Sequence, residues 1–232
     1  MHYFLDPTFD PITGILNEEE SRHAIKALRI SLGDSIEIGN GRGNRYQCAV
    51  RIIGKNQVIL AVENKIEIPA PQFRFSVALA PTKNASRFEW FLEKATEMGV
   101  DDIIALESKR TERSRLNDGR LERIIISAAK QSQRSFLPVF HGSVPFSKIT
   151  TESKNIRFIA HCDTNFARIA LHEARPAAPE NVLILIGPEG DFTPGEIEEA
   201  YAAGFQGISL GSNRLRTETA GVYCAAIAST WR

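Results

Sequence analysis

The chain has no apolar run approaching 18 residues, which excludes a membrane-spanning helix as its organising feature. No charged-then-apolar leader opens it, so a soluble protein without a secretory signal is expected. Cysteine is scarce. Cys48, Cys162 and Cys224 are scattered and odd in number, giving neither a disulfide framework nor the paired spacing of a metal site. That usage fits a reducing cytoplasm, and no metal and no membrane partner are expected. Net charge is absent too, with 28 basic against 28 acidic side chains, which argues mildly against a nucleic-acid partner. No G-x-G-x-x-G follows a strand of the C-terminal half and no G-x-x-x-x-G-K-[ST] occurs anywhere, so a dinucleotide or nucleoside triphosphate enzyme would lack its phosphate grip.

What is present answers part of the charge objection. Between Lys109 and Arg134 stand eight basic residues against three acidic ones, whereas between Pro176 and Asn213 there are six acidic residues and no Lys or Arg. Segregated charge allows a basic face on a neutral protein, although a merely solvated helix face would look the same. With 232 residues and 43% apolar content, the chain can build one large domain, or a medium domain with a small one.

Residues 1 to about 68 read as mostly β. Tyr46, Cys48, Val50 and Ile52 alternate with polar positions, as do Val58, Leu60 and Val62, and Gly54-Lys55-Asn56 makes a hairpin between them. One helix interrupts, capped by Asn17 and running through Ile25 and Leu28 towards Gly33. The segment 39–43, Gly-Asn-Gly-Arg-Gly, precedes a strand rather than a helix, so it is a hairpin turn and not an anion loop, with Arg42 and Arg45 as candidate RNA contacts. Pro69-Ala70-Pro71 is the best linker, stiff and without donors. After it, strands alternate with helices. Phe75 to Ala80 is a strand, and Ser86 with Glu89 caps a helix ended by Gly99. Asp102 to Leu106 follows as a strand, then a basic loop 107–117, a helix from about 118 to 135, and a strand Arg157 to His161. That rhythm predicts a parallel sheet covered on both faces.

The stretch Val182 to Gly221 organises the rest. Val182 to Ile186 reads as a buried strand that stops at Gly187-Pro188. Thr193, Pro194 and Glu196 then give a capping box with proline at the first helical position, and Phe192 and Ile197 are spaced for a hydrophobic staple. Gly204 ends that helix, Gly207 to Leu210 is another strand, and Gly211 to Thr219 is a polar loop. Two glycine-containing loops thus leave the same ends of two strands, where open α/β sheets bind ligands. Gly187 and Gly211 stand where a side chain is expected to enter such a pocket. The final helix, about 218 to 231, is apolar almost all round and calls for cover on more than one side. His161-Cys162-Asp163 could suggest a metal or a nucleophile, but three adjacent residues cannot all face one ion.

The motifs IGPEG-D-F, LG-x-x-RLRTETA, RFEWFLEKATEMGV and SRHAIKALR, four separated motifs in the right order, together resemble the SPOUT class of RNA methyltransferases, and within it the ribosomal RNA small subunit methyltransferase E family. Two departures are visible. Asp191 stands where the family has a second loop glycine, and Asn84 where it has a glycine after Lys83. The resemblance implies an α/β fold whose parallel sheet carries a C-terminal trefoil knot in residues 71–232, preceded by a small PUA-like RNA-binding β-barrel in residues 1–70. It implies methylation of uridine N3 in 16S rRNA of the small ribosomal subunit, with S-adenosyl-L-methionine as cofactor and a homodimer as the working form.

Carried onto this chain, the resemblance places the cofactor among His161, Ile186, Gly187, Glu189, Gly190, Leu210, Gly211, Leu215, Arg216, Thr217, Thr219 and Ala220. Arg216, Glu218 and Glu189 are the expected catalytic groups. Arg22, Lys26, Arg29, Lys83, Arg87, Arg110, Arg113, Arg115, Arg120 and Arg134 are the expected RNA contacts. Two other readings stay open: a SPOUT enzyme with another acceptor, such as a ribose 2′-hydroxyl, and a non-catalytic RNA-binding or ribosome-assembly module.

Overall fold

The computed structural model describes residues 2–112, 115–151, 156–178 and 180–231. They fall into two compact units, one of Met1–Ala70 with Ile126–Leu137, the other of Pro71–Ile125 with Pro138–Arg232.

In the first unit β1 (His2–Leu5), β2 (Ser35–Gly39), β3 (Asn44–Ile53) and β4 (Val58–Glu67) form a sheet in that order, with β1 parallel to β2 and the rest antiparallel. The expected hairpins are there: Gly54 N–H closes one by donating to Gln57 O at 2.8 Å, and residues 40–43 form the other. Between β1 and β2 lies α1 (Glu18–His23), capped by the Asn17 side chain, which accepts Glu20 N–H. It passes into a π-helical turn, Ala24–Leu28, and stops at Arg29, whose left-handed φ of 53° caps it four residues short of Gly33. Phe4, Ile36, Ile38, Cys48, Val50, Val58 and Leu60 make the core beneath this helix. Arg45 donates to Ser135 Oγ, Glu37 and Gln133 O, and Arg42 donates to Pro7 O.

The second unit is built on seven parallel strands in the order β7-β6-β5-β10-β8-β11-β9. They are β5 (Phe75–Leu79), β6 (Asp102–Glu107), β7 (Val139–Pro145), β8 (Ile156–Ala160), β9 (Ile169–Ala170), β10 (Val182–Ile186) and β11 (Gln206–Ser209). β5 and β10 are buried at every position, which is why β10 reads as an unbroken apolar run and β5 as one broken only by the buried Ser76. The helices are α2 (Ala85–Glu97), α3 (Asp118–Gln131, whose second half is grouped with the first unit), α4 (Phe146–Ile149), α5 (Pro194–Ala202) and α6 (Thr217–Ser229). The cap of α2 is Asn84, not Ser86: the Asn84 side chain accepts both Ser86 N–H and Ser86 O–H. The capping box of α5 forms as expected, and Phe192 and Ile197 are both buried in the apolar core beside it.

Two features of chain order position the site. β10 inserts between β5 and β8, and β11 between β8 and β9, so the last strands enter on both sides of an earlier one. α6 then lies against α2 and β5 at a spacing that only glycine permits. A methyl group at Gly221 would sit 2.4 Å from Leu79 Cδ1 and 2.6 Å from the Phe91 ring. Among the described residues no helix is long and apolar enough to cross a membrane, and no His, Cys, Asp and Glu side chains cluster to hold a metal.

Candidate active site

Ile186, Ala160 and Ile208 lie in one register row across β10, β8 and β11. A small side chain between two isoleucines leaves a hollow at the carboxyl ends of the strands, and a cavity of about 350 Å³ opens there. Three loops wall it. The loop after β8 contributes His161, Cys162 and Arg168, that after β10 contributes Gly187, Pro188, Glu189 and Asp191, and that after β11 contributes Leu210, Gly211 and residues 213–217. Ala220, one turn into α6, completes the lining.

The loop after β10 is tied to its neighbours on every side. Thr217 donates to Gly187 O at 3.2 Å, fixing the start of α6. Lys83 N–H donates to Glu189. Arg110 donates to the carbonyls of Gly190 and Phe192 at 2.6 and 3.4 Å. The buried Glu196 uses one oxygen for the Thr193 cap and the other to accept Lys109 N–H at 2.7 Å. Asp191 accepts Cys162 N–H at 2.8 Å from the loop after β8.

Of the expected cofactor residues, His161, Ile186, Gly187, Glu189, Leu210, Gly211, Leu215, Arg216, Thr217 and Ala220 line this cavity, whereas Gly190 and Thr219 do not. Both glycines line the cavity: a Cβ at Gly187 would press on Phe192 at 3.2 Å, within the loop itself, while one at Gly211 would meet open space, where a φ of 120° disfavours any side chain. The lining also includes residues outside the expected cofactor set: Ala160, Cys162, Arg168, Pro188, Ile208, Ser209, Asn213 and Arg214, together with Asp191, which the sequence showed only as a departure. Ala160 owes its place to a strand register that residue order does not give, whereas Asp191 could have been found from its being a carboxylate in a loop otherwise suited to glycine.

His161 is 5% exposed. Its Nε2 lies 3.2 Å from the Tyr201 hydroxyl, while Nδ1 is buried without a hydrogen-bond partner among the described residues. Burial first, then the Arg168 guanidinium, lowers its pKa below the ordinary histidine value, so the ring is neutral at pH 7. Arg216 is exposed on the rim, and its side chain makes no hydrogen bond or ion pair among the described residues. Glu218 is buried, sits off the cavity, and faces Arg87 at 3.6 Å, its other oxygen without a partner among the described residues.

The expected RNA contacts separate. Arg120 is clamped on Glu89 through two bonds at 2.5 and 2.8 Å, Arg110 braces the loop, Arg87 faces Glu218, and Lys83 pairs with Glu112 at 3.1 Å. Arg22 pairs with Glu18 on the surface, and Arg134 is half-buried. Lys26, Arg29 and Arg115 are exposed and carry no partner among the described residues. Arg113 lies outside the described residues.

Residues 69–229 match the model of an RNA methyltransferase domain, and residues 16–63 that of an RNA methyltransferase PUA domain. The ribosomal RNA small subunit methyltransferase E of Mesomycoplasma hyopneumoniae is 34% identical over 160 residues, 66% of this chain and 68% of that protein. The chain belongs to the ribosomal RNA small subunit methyltransferase E family. In the solved structures, the probable rRNA-methyltransferase of Porphyromonas gingivalis shares 36% identity at a TM-score of 0.89, covering 100% of this chain and 96% of that one. The methyltransferase E of Neisseria gonorrhoeae, solved bound to S-adenosyl methionine, has the same fold at 24% identity and a TM-score of 0.78, covering 99% and 96%. The cavity of this methyltransferase domain lies wholly within the residues of the first match.

Proposed function

We propose that the chain transfers a methyl group from S-adenosyl-L-methionine to N3 of a uridine in 16S rRNA of the small ribosomal subunit. The cavity at the ends of β10, β8 and β11 carries the reading, and the family's shared name supports the RNA. The lining fits the cofactor's chemistry. Ile186, Ile208, Leu210 and Leu215 offer an apolar slot for a flat base, loop carbonyls and N–H groups lie at its edge, and the orphaned His161 Nδ1 is the kind of buried polar atom that a ligand satisfies. Bound there, the cofactor supplies a methyl group made electrophilic by its sulfonium, without a metal.

The chain's own residues do the rest. Uracil N3 is a weakly acidic imide whose charge, as its proton leaves, spreads onto two flanking carbonyl oxygens. The Arg216 fork, unpaired among the described residues, suits a planar acceptor of that kind, and Glu189, which lines the same cavity, is the proposed group to orient or accept the proton. Glu218 acts through Arg87, holding the first turn of α6, where a carboxylate is favoured. Lys26, Arg29 and Arg115 are the proposed phosphate contacts. The interleaved order of β10 and β11 supports a trefoil knot at the C-terminus. Val222, Tyr223, Ala226 and Ile227, half-buried on α6, support cover by a second copy. A cytoplasmic setting follows from an rRNA substrate.

Replacing Ala220 by leucine tests the cavity. It fills space from a helical position without changing the backbone, so calorimetry should show S-adenosylmethionine binding abolished in a protein that melts normally. Undiminished affinity would remove the cofactor from this cavity.

A further inference from the structure

The loop after β10 carries Asp191 at φ 63°, one of three described non-glycine residues with positive φ. An L side chain is strained there relative to glycine, and aspartate and asparagine tolerate the conformation best. What the side chain does decides among the three. Asp191 N–H donates to Pro188 O at 2.9 Å, closing the turn. Its Oδ1 accepts Phe192 N–H at 2.7 Å, within its own loop. Its Oδ2 accepts Cys162 N–H at 2.8 Å, across the cavity wall. Among the described residues this is the only hydrogen bond joining the loops 161–163 and 187–192. Both carboxylate oxygens are therefore used as acceptors, by donors on two different loops. Asparagine has one acceptor oxygen and would turn its amide N–H against a backbone N–H. Glycine would offer nothing.

We infer that Asp191 is a positioning residue that clasps the walls after β8 and β10 together and so sets the affinity of the cavity for the methyl donor. The affinity part rests on the cofactor reading above; the clasp itself does not. Because the clasp is formed before any ligand arrives, its contribution belongs to binding and not to the chemical step. Losing it raises KM for S-adenosylmethionine and leaves kcat at saturation unchanged.

Two variants test this, Asp191→Gly and Asp191→Asn. Glycine relaxes the backbone, so its Tm should hold or rise, while calorimetry shows S-adenosylmethionine affinity falling about tenfold, the size expected for one lost charge-assisted hydrogen bond. The asparagine variant should fall in between. Amide hydrogen exchange at Cys162, measured without cofactor, should accelerate in both. Unchanged exchange at Cys162 overturns the clasp. Unchanged affinity in the glycine variant, or a fall in Tm that parallels the fall in affinity, overturns the positioning role. Absence of binding by the wild-type protein would instead refute the cofactor reading, and exchange at Cys162 would then decide the clasp alone.

Discussion

Arg216 stands at the start of α6 with its side chain on the cavity rim and, among the described residues, none of the partners that a structural role would need. Glu218 faces Arg87 and Glu189 accepts from Lys83, so the two carboxylates that could have tied Arg216 to the loop are engaged elsewhere. Donors aimed at developing negative charge are each worth ~3 kcal/mol, or about 100-fold in rate. Arg216→Ala is expected to lower kcat by about that factor with cofactor affinity kept, and Arg216→Lys to recover part of it, since an ammonium lacks the planar fork. Loss of affinity in proportion to activity would make the residue a brace. Arg216 was legible in the sequence through the motif LG-x-x-RLRTETA that carries the family resemblance, and the structure adds its place on the cavity rim. Asp191 was visible only as a departure, since neither its φ nor its bond to Cys162 leaves a trace in residue order.

At the scale of elements, local chemistry was readable and long-range chemistry was not. Thr193, Pro194 and Glu196 announce the cap of α5, but the second bond of Glu196, to Lys109 N–H, spans 87 positions. β7 escaped notice because His141, Gly142 and Ser143 interrupt its apolar pattern and it lies at the sheet edge. It is held by Asp102, which joins the starts of three strands. Asp102 accepts from Arg74 at 2.8 and 3.1 Å and from Ser76 at 2.9 Å, and meets His141 at 3.0 Å. Burial alone would raise its pKa, but the bonds from Arg74, His141 and Ser76 together outweigh that and bring it down to about 2. A depressed carboxylate stabilises the fold above its unfolded pKa and loses that contribution as pH falls through the folded one. Asp102→Asn should therefore cost about 2 kcal/mol at pH 7. The gap to wild type should narrow below about pH 4 and close near pH 2. Urea titrations across that range check it, and a gap independent of pH would contradict it.

For the whole molecule, alternating strands and helices gave away a parallel sheet, and a linker near residue 70 suggested two parts. The order of the sheet was not deducible, because nothing in β10 or β11 says that they insert beside β8. Nor does composition show that residues 126–137 group with the first unit. The half-buried face of α6 predicts a species of roughly twice 25.8 kDa in sedimentation at micromolar concentration, and a persistent monomer would mean that α6 is covered by its own chain alone. The most direct test of the account is methyl transfer itself. Labelled S-adenosylmethionine is added with the protein to small ribosomal subunits from cells lacking this modification, and the labelled nucleoside is identified after digestion. The account predicts label on N3 of a uridine in 16S rRNA. Label on a ribose 2′-hydroxyl, or no label from a protein that binds the cofactor, would contradict it.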